Sequence, residues 1–187
     1  MSEIGRSALF GKLNKLAYKA IEGATVFCKL RGNPYVELVH WLHQILQLQD
    51  SDLHRIIKQF DLNPATLAMD ITDALDVLPR GSSSISDLSS QVEEAVERGW
   101  VYGSLLYGEN QVRTGHLVVG LVKTRSLFNA LQNISSEFSK LGADLLTDRF
   151  HEIVAGSPED GLASTDGFQA AQPGEASGAM SPAQMGK

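Results

Sequence analysis

The chain has 187 residues, of which 43% are hydrophobic and 20% are charged, and its formal net charge is −6 at pH 7. This length and composition predict one folded domain plus a tail. The acidic balance argues against broad nucleic-acid binding, which needs a basic surface. No apolar run approaches the roughly 20 residues that cross a bilayer, and the start of the chain lacks the apolar block of a secretory signal. We therefore expect a cytoplasmic protein that binds neither membranes nor nucleic acids.

The single cysteine, Cys28, cannot form a disulfide within the chain. A lone cysteine fits a reducing compartment. Because Cys28 lies in an apolar run, we predict a buried, unreactive thiol and not a nucleophile.

The first half of the chain predicts four helices joined by short connections. Apolar residues recur at helical spacing from Leu9 to about Arg31, where Gly32 can end a single long helix. An Asn-Pro pair, which combines a capping side chain with a proline in the first turn, precedes the second and fourth helices. The predicted ranges are about 9–31, 36–48, 51–60 and 64–78.

The second half predicts four further helices after a breaker cluster of Pro, Gly and Ser at residues 79–84. Helical spacing places them at about 86–106, 114–122, 127–134 and 138–153. Sustained two-residue alternation, which is typical of strands, does not occur. The predicted class is therefore all-α.

Gly, Ala, Ser, Pro and Gln dominate the chain from about residue 155 onwards. Such a composition does not supply a packed core. We therefore predict a helical domain at 1–155 and a flexible linker at 156–187, which would lead towards a module absent from this sequence.

The two halves are similar to each other at an offset of 76 residues. At this offset His40 matches His116, Gly32 matches Gly108, and each histidine is followed by an apolar run. Several matches in one register indicate an internal duplication. We predict a tandem pseudo-repeat of two four-helix units, repeat one at about 9–79 and repeat two at about 85–155.

Sequence motifs for catalysis are lacking. There is no nucleophile elbow and no glycine-rich phosphate loop. Glu37, His40 and His43 share one helical face, but a carboxylate-bridged metal site in a helical bundle needs a second Glu-x-x-His motif, and Arg113 stands where its glutamate would be. We predict no metal site. The structural alternative is that His40 and His116 each hydrogen-bond a backbone carbonyl and lock neighbouring helices together.

Three motifs resemble a known family. They are residues 36–42 (VELVHWL), 97–100 (ERGW) and 113–117 (RTGHL). Together they are similar to the amino-terminal domain of Clp-type AAA+ unfoldases, and most of all to ClpV (TssH), the ATPase family of bacterial type VI secretion. The resemblance covers about residues 8–155, and the predicted helix beginning at Leu9 matches the amino-terminal extension of that family.

The resemblance implies a double Clp-N fold and a non-catalytic domain that recognises the contracted secretion sheath. Its partner would be an amino-terminal helix of the larger sheath subunit, received in a hydrophobic groove. An ATPase ring, absent here, would bind ATP and magnesium and unfold the sheath for recycling. This implies a hexameric full-length protein, a monomeric isolated domain and no cofactor in this stretch. The implied groove residues are Leu9, Phe10, Leu13, Leu16, Ile85, Leu88 and Val92.

Three alternatives remain open at this point. The first is the amino-terminal domain of a general unfoldase that docks an adaptor or aggregated chains. The second is a helical metalloenzyme that uses Glu37, His40 and His43. The third is a helical scaffold with no recognition role.

Overall fold

The computed structural model describes residues 4–165, and within that range the all-α prediction is confirmed. Ten α-helices lie there, with one 3₁₀ helix, Ser136–Lys140, and two strands of two residues each. The helices are α1 Arg6–Phe10, α2 Lys15–Arg31, α3 Leu38–Leu46, α4 Asp52–Gln59, α5 Pro64–Asp76, α6 Ser90–Tyr107, α7 Thr114–Lys123, α8 Arg125–Ile134, α9 Ala143–Asp148 and α10 Phe150–Val154. No helix among these is long and apolar enough to cross a membrane.

The single long helix predicted from Leu9 is wrong, because the chain breaks between α1 and α2. Asn14 caps α2 by accepting a hydrogen bond from the Ala17 N–H at 2.9 Å. The Asn14 N–H donates instead to the Val112 carbonyl, and the Val112 N–H donates to the Lys12 carbonyl. Apolar spacing cannot reveal such a break, since the competing hydrogen bonds come from a segment about 100 residues away.

The first two helices of each repeat have matching boundaries. Repeat one contains α2–α5 and repeat two contains α6–α10. Both α2 and α6 end at a glycine in the left-handed region, Gly32 at φ 71° and Gly108 at φ 66°. This conformation suits glycine, which has no Cβ to clash. The predicted terminator Gly32 is thereby confirmed.

The repeats interlock through two short parallel contacts that the sequence did not predict. Strand β1, Tyr35–Val36, pairs with strand β2, Asp87–Leu88, and Leu13 forms a bridge with Val112. The two contacts occupy equivalent positions in the duplicated chain. In each contact, the residues that precede the first helix of one repeat pair with the residues that precede the second helix of the other repeat. Two-residue strands carry no periodic pattern, which explains why they were missed.

Helix starts agree with the sequence where the capping side chain acts locally. Asn63 caps α5 as its Asn-Pro pair predicted, and Ser51 caps α4. Helix α3 begins later than its Asn-Pro pair suggested, with Glu37 at the cap position. The predicted helix at 138–153 is wrong as one element, because the extended backbone at Leu141 and Gly142 separates the 3₁₀ helix from α9.

One hydrophobic core joins both repeats. Trp41 lies in it, and its indole N–H donates to the Ala17 carbonyl at 3.2 Å. The buried, unreactive thiol predicted at Cys28 agrees with the structure: the side chain is inaccessible, and burial raises its pKa. A less acidic thiol forms less of the reactive thiolate.

The predicted domain boundary at residue 155 is too early. Residues 156–165, which we name the exit strap, pack against the helices, and Glu159 within this strap has no exposed surface. The strap is attached by buried polar contacts and not by apolar residues. Its composition therefore resembles that of a linker. Residues 166–187, the remainder of the predicted linker, lie outside the described residues.

Candidate binding groove and buried polar centre

A surface concavity lies where α1, α2 and β2 meet, and we name it the α1–α2 groove. Helix α2 contributes Tyr18, Ile21 and Thr25 from one face, at spacings of three and four residues. Phe10 comes from α1 and Leu88 from β2. The full lining is Arg6, Ser7, Phe10, Tyr18, Ile21, Glu22, Thr25 and Leu88.

Helix α1 is attached to the body of the domain by its apolar face and by one arginine. Leu9 and Phe10 are each 7% exposed and belong to the core. The Arg6 guanidinium contacts Asp87 at 2.6 Å and also Glu93. Ion pairs this exposed contribute little to stability. We infer that they orient α1 over β2, while the two apolar side chains anchor it.

The groove residues implied by the resemblance divide into three groups. Phe10 and Leu88 line the groove. Leu16 and Ile85 are half-buried and lie outside this lining. Leu9, Leu13 and Val92 are core residues, with no exposed surface at Leu13 and Val92. A substitution at Leu13 therefore acts on core packing, and it affects the groove only indirectly.

Sequence reasoning named Leu16 as the α2 residue of the groove and missed the three that line it. Tyr18, Ile21 and Thr25 follow one helical face, and this spacing was present in the sequence. It was not used to locate the groove, because helical periodicity identifies a face without saying what covers it.

A second concavity lies between α3, α4 and α5. Ile57, Leu67 and Ile71 contribute apolar surface, while His43, His54 and Lys58 also line it. None of the residues implied by the resemblance belongs to it. It provides an alternative location against which binding in the α1–α2 groove can be tested.

His40 and His116 occupy the same position near the start of α3 and α7. The Nδ1 of His40 accepts the Glu37 N–H at 2.8 Å, and the Nδ1 of His116 accepts the Arg113 N–H at 3.1 Å. Each ring thus satisfies a backbone donor at its own helix start. We expected a carbonyl of a neighbouring helix; the structure corrects the partner to an amide of the same helix.

Both histidines are held neutral by their surroundings. Burial lowers the pKa of His40 to about 4, and the nearby Arg31 acts in the same direction. Burial lowers the pKa of His116 to about 3, with a further contribution from the Arg113 charge. A neutral imidazole is required here, because a protonated Nδ1 cannot accept a hydrogen bond.

The Glu37, His40 and His43 side chains do not converge on a metal position. His40 Nε2 lies 2.9 Å from the Asn33 side-chain oxygen, so both of its nitrogens have partners. The His43 ring stacks on Phe27 at 4.4 Å. Between residues 4 and 165 there is no group of three or more His, Cys, Asp or Glu side chains arranged to hold a metal ion.

A buried polar centre joins the repeats. The Arg113 guanidinium donates two hydrogen bonds of 2.8 Å to the Asp52 carboxylate, and both side chains are almost inaccessible. The Glu159 carboxylate lies beside them, and burial together with the Asp52 charge raises its pKa. The sequence identified Arg113 as part of a family motif and as a residue unsuited to a metal site, but nothing local indicated a partner 61 residues away.

Comparison with known proteins assigns the chain to a family. The family described as the Clp repeat (R) N-terminal domain matches residues 12–134. The chain is 70% identical over its whole length to the AAA+ ATPase ClpV1 of Pseudomonas aeruginosa, of which it covers 21%. It is 43% identical, over 95% of its length, to the chaperone protein ClpB of Yersinia enterocolitica, of which it covers 20%. The chain therefore spans about a fifth of these curated relatives.

Solved structures agree with this assignment. A structure from a study of the coevolution of the ATPase ClpV with the TssB-TssC sheath superposes with a TM-score of 0.83 at 71% identity, covering 86% of this chain and 99% of that one. A ClpV N-domain solved with a VipB peptide shares the fold at 23% identity, with a TM-score of 0.74 over 85% of this chain and 97% of that one. The chain belongs to the Clp repeat N-terminal domain family, as a ClpV-type member of it.

Proposed function

We propose that this domain binds an amino-terminal helix of the larger subunit of a type VI secretion sheath in the α1–α2 groove. The observation that carries the proposal is the concavity itself, in which two helices and β2 present Phe10, Ile21 and Leu88. An amphipathic helix binds such a groove through apolar side chains spaced three and four residues apart.

The relatives support a sheath subunit as the ligand. The relative solved at 71% identity comes from work on ClpV and the TssB-TssC sheath, and a more distant ClpV N-domain has been solved with a VipB peptide. The relative at 71% identity supports a sheath subunit as the partner, because its identity to this chain is high. The more distant ClpV N-domain supports a peptide as the form in which the ligand binds.

We further propose that the domain recognises its ligand without catalysing a reaction and without a cofactor. In the full-length protein, ATPase modules would bind ATP and magnesium, form a hexamer and unfold the sheath subunits, so that a contracted sheath is disassembled and recycled. The isolated domain would be monomeric. The 70% identity to an AAA+ ATPase supports this division of roles.

A second candidate is the general unfoldase function, in which the domain docks an adaptor or aggregated protein. The 43% identity to a ClpB chaperone favours it. The two candidates differ in selectivity. A sheath-recognition domain would prefer the sheath helix, whereas a general unfoldase domain would bind it no better than other chains.

A fluorescence titration tests the proposal, using a labelled peptide from the amino-terminal region of the larger sheath subunit and a scrambled peptide of the same composition. We expect saturable binding with a Kd on the order of 1 μM, equivalent to about −8 kcal/mol, and no saturation with the scrambled peptide. Equal binding of both peptides would favour the general unfoldase.

Three variants locate the site. Leu88→Ala should weaken binding about tenfold, because a leucine side chain contributes about 1.5–3 kcal/mol when buried. Leu105→Ala is the matched control: Leu105 is 79% exposed and lies 15 residues along α6, roughly 22 Å from its first residue. Ala68→Lys blocks the second concavity. Loss of binding in this last variant alone would place the ligand there and overturn the groove assignment.

A further inference from the structure

We propose that Glu159 in the exit strap is a positioning residue for the α1–α2 groove, holding the turn that joins the two helical walls. The inference rests on the proposed function for its binding readout. It concerns a buried carboxylate outside the groove, in a segment whose composition suggested a linker.

The Glu159 carboxylate joins three helix starts at once. Its Oε1 accepts the Thr114 N–H at 2.8 Å and the Asn14 side-chain amide at 3.0 Å. Its Oε2 accepts the Asp52 N–H at 2.8 Å and the Thr114 hydroxyl. The residues reached are the cap of α2 and the first residues of α4 and α7. One side chain thus satisfies backbone donors of α4 and α7 that a helix cannot satisfy by itself.

The contact with Asn14 bears directly on the groove. The Asn14 amide donates through its nitrogen to Glu159 and accepts through its oxygen from the Ala17 N–H. Glu159 therefore fixes which way the amide points, and with it the cap of α2. Asn14 ends the turn between α1 and α2, so this cap sets the angle between the two walls.

The end of the exit strap holds the same turn. The Thr165 N–H donates to the Leu13 carbonyl at 3.1 Å, and its hydroxyl donates to the Gly11 carbonyl at 2.9 Å. Asn14 forms a bridge with Ser164. The strap and the cap contact therefore bind residues 11–14 together, and the groove depends on a segment that follows the helical repeats in the chain.

Two substitutions separate this positioning role from general stability. Glu159→Gln replaces one acceptor oxygen with an amide that faces N–H and O–H donors, so about half of the accepted hydrogen bonds are lost. Thr165→Pro removes both the N–H that donates to Leu13 and the hydroxyl that donates to Gly11, and it leaves the buried carboxylate untouched. The control is Glu152→Gln, because Glu152 is exposed and paired with Arg149.

The measurements are peptide affinity and amide hydrogen exchange in the full 187-residue chain. We expect both test variants to weaken sheath-peptide binding about threefold to tenfold, in line with the loss of one to two hydrogen bonds. Exchange should accelerate at residues 9–14, while α5 and α8 keep the protection they have in the parent chain. Glu152→Gln should change neither.

The outcomes are distinct. Unchanged affinity and unchanged exchange at residues 9–14 in Glu159→Gln, with peptide binding present in the parent chain, would overturn the positioning role of Glu159, and the same result in Thr165→Pro would overturn the role of the strap's end. Equal acceleration in every helix would also overturn it, because that is general destabilisation. If the parent chain does not bind the peptide, the proposed function fails, while local exchange at residues 9–14 still decides whether the strap positions the turn.

Discussion

The two repeats place different chemistry at equivalent positions. Glu37 and Arg113 occupy the cap positions before α3 and α7, and each is followed three residues later by a histidine that accepts its N–H. The Glu37 side chain contacts Ser89 in repeat two, whereas Arg113 forms a buried ion pair with Asp52 in repeat one. Both cap positions therefore reach the other repeat, but only Arg113 of the two contributes a buried ion pair.

The aromatic rings that pack against the two histidines also differ between the repeats. In repeat one, Phe27 lies edge-on to His40 at 6.1 Å. In repeat two, the position equivalent to Phe27 is Gly103, which leaves space for the His116 ring, and Phe150 stacks on that ring at 5.2 Å. The Nε2 of His116 has no hydrogen-bond partner within the described part of the chain. Duplication thus preserved the backbone cap while the packing around it diverged.

The largest effect on stability should come from breaking the ion pair between Arg113 and Asp52. Arg113→Ala leaves the buried Asp52 unpaired beside Glu159 and should lower the free energy of unfolding by about 3–5 kcal/mol. Its repeat equivalent, Glu37→Ala, should cost about 1 kcal/mol or less, because no buried charge loses its partner. Urea denaturation at pH 7 measures both. Equal losses would show that the two cap positions contribute alike.

A smaller effect should follow from acidification. Both histidines have a lowered pKa in the folded chain, so the unfolded chain binds more protons below its own histidine pKa near 6.5. Stability should therefore fall as the pH drops, by about 2 kcal/mol per histidine between pH 7 and pH 5. The raised pKa of Glu159 acts in the opposite sense in acid.

His116→Gln isolates the histidine contribution. The slope of unfolding free energy against pH should decrease by one histidine's share in this variant, measured by urea denaturation from pH 5 to pH 7. An unchanged slope in His116→Gln would contradict the neutral, buried state assigned to that ring.

The smallest effect concerns the space beside His116. A Cβ at Gly103 would lie 2.8 Å from the His116 Nδ1, so Gly103→Ala should overpack this contact and disturb the cap. We expect a net loss of about 1 kcal/mol in thermal or urea unfolding, because the helix propensity of alanine offsets part of the overpacking.

Gly23→Ala is the matched glycine in α2. Its Cβ would meet only the end of the Gln44 side chain, which can move aside, so this change should be neutral or stabilising by up to about 1 kcal/mol. A loss equal to that of Gly103→Ala would show that the effect comes from the helix and not from the histidine.

The sequence by itself determined the helical class, the duplication and most helix boundaries. These features depend on spacing within a few turns, such as the apolar face of α3, and on local backbone conformation, such as Gly32 and the caps Ser51 and Asn63. The 76-residue offset also identified the paired histidines. The location of the groove came from the family resemblance, since no spacing in one chain indicates which exposed face receives a ligand.

The features that depend on long-range polar contacts were decided only by the tertiary structure. The break before α2 depends on Val112, the interface depends on Asp52 meeting Arg113, and the exit strap depends on Glu159 reaching three helix starts. Hydrogen bonds and ion pairs of this kind join residues separated by 45 or more positions and leave no periodic pattern in the sequence. Apolar periodicity identifies which faces are buried, whereas only the fold determines which buried polar groups meet.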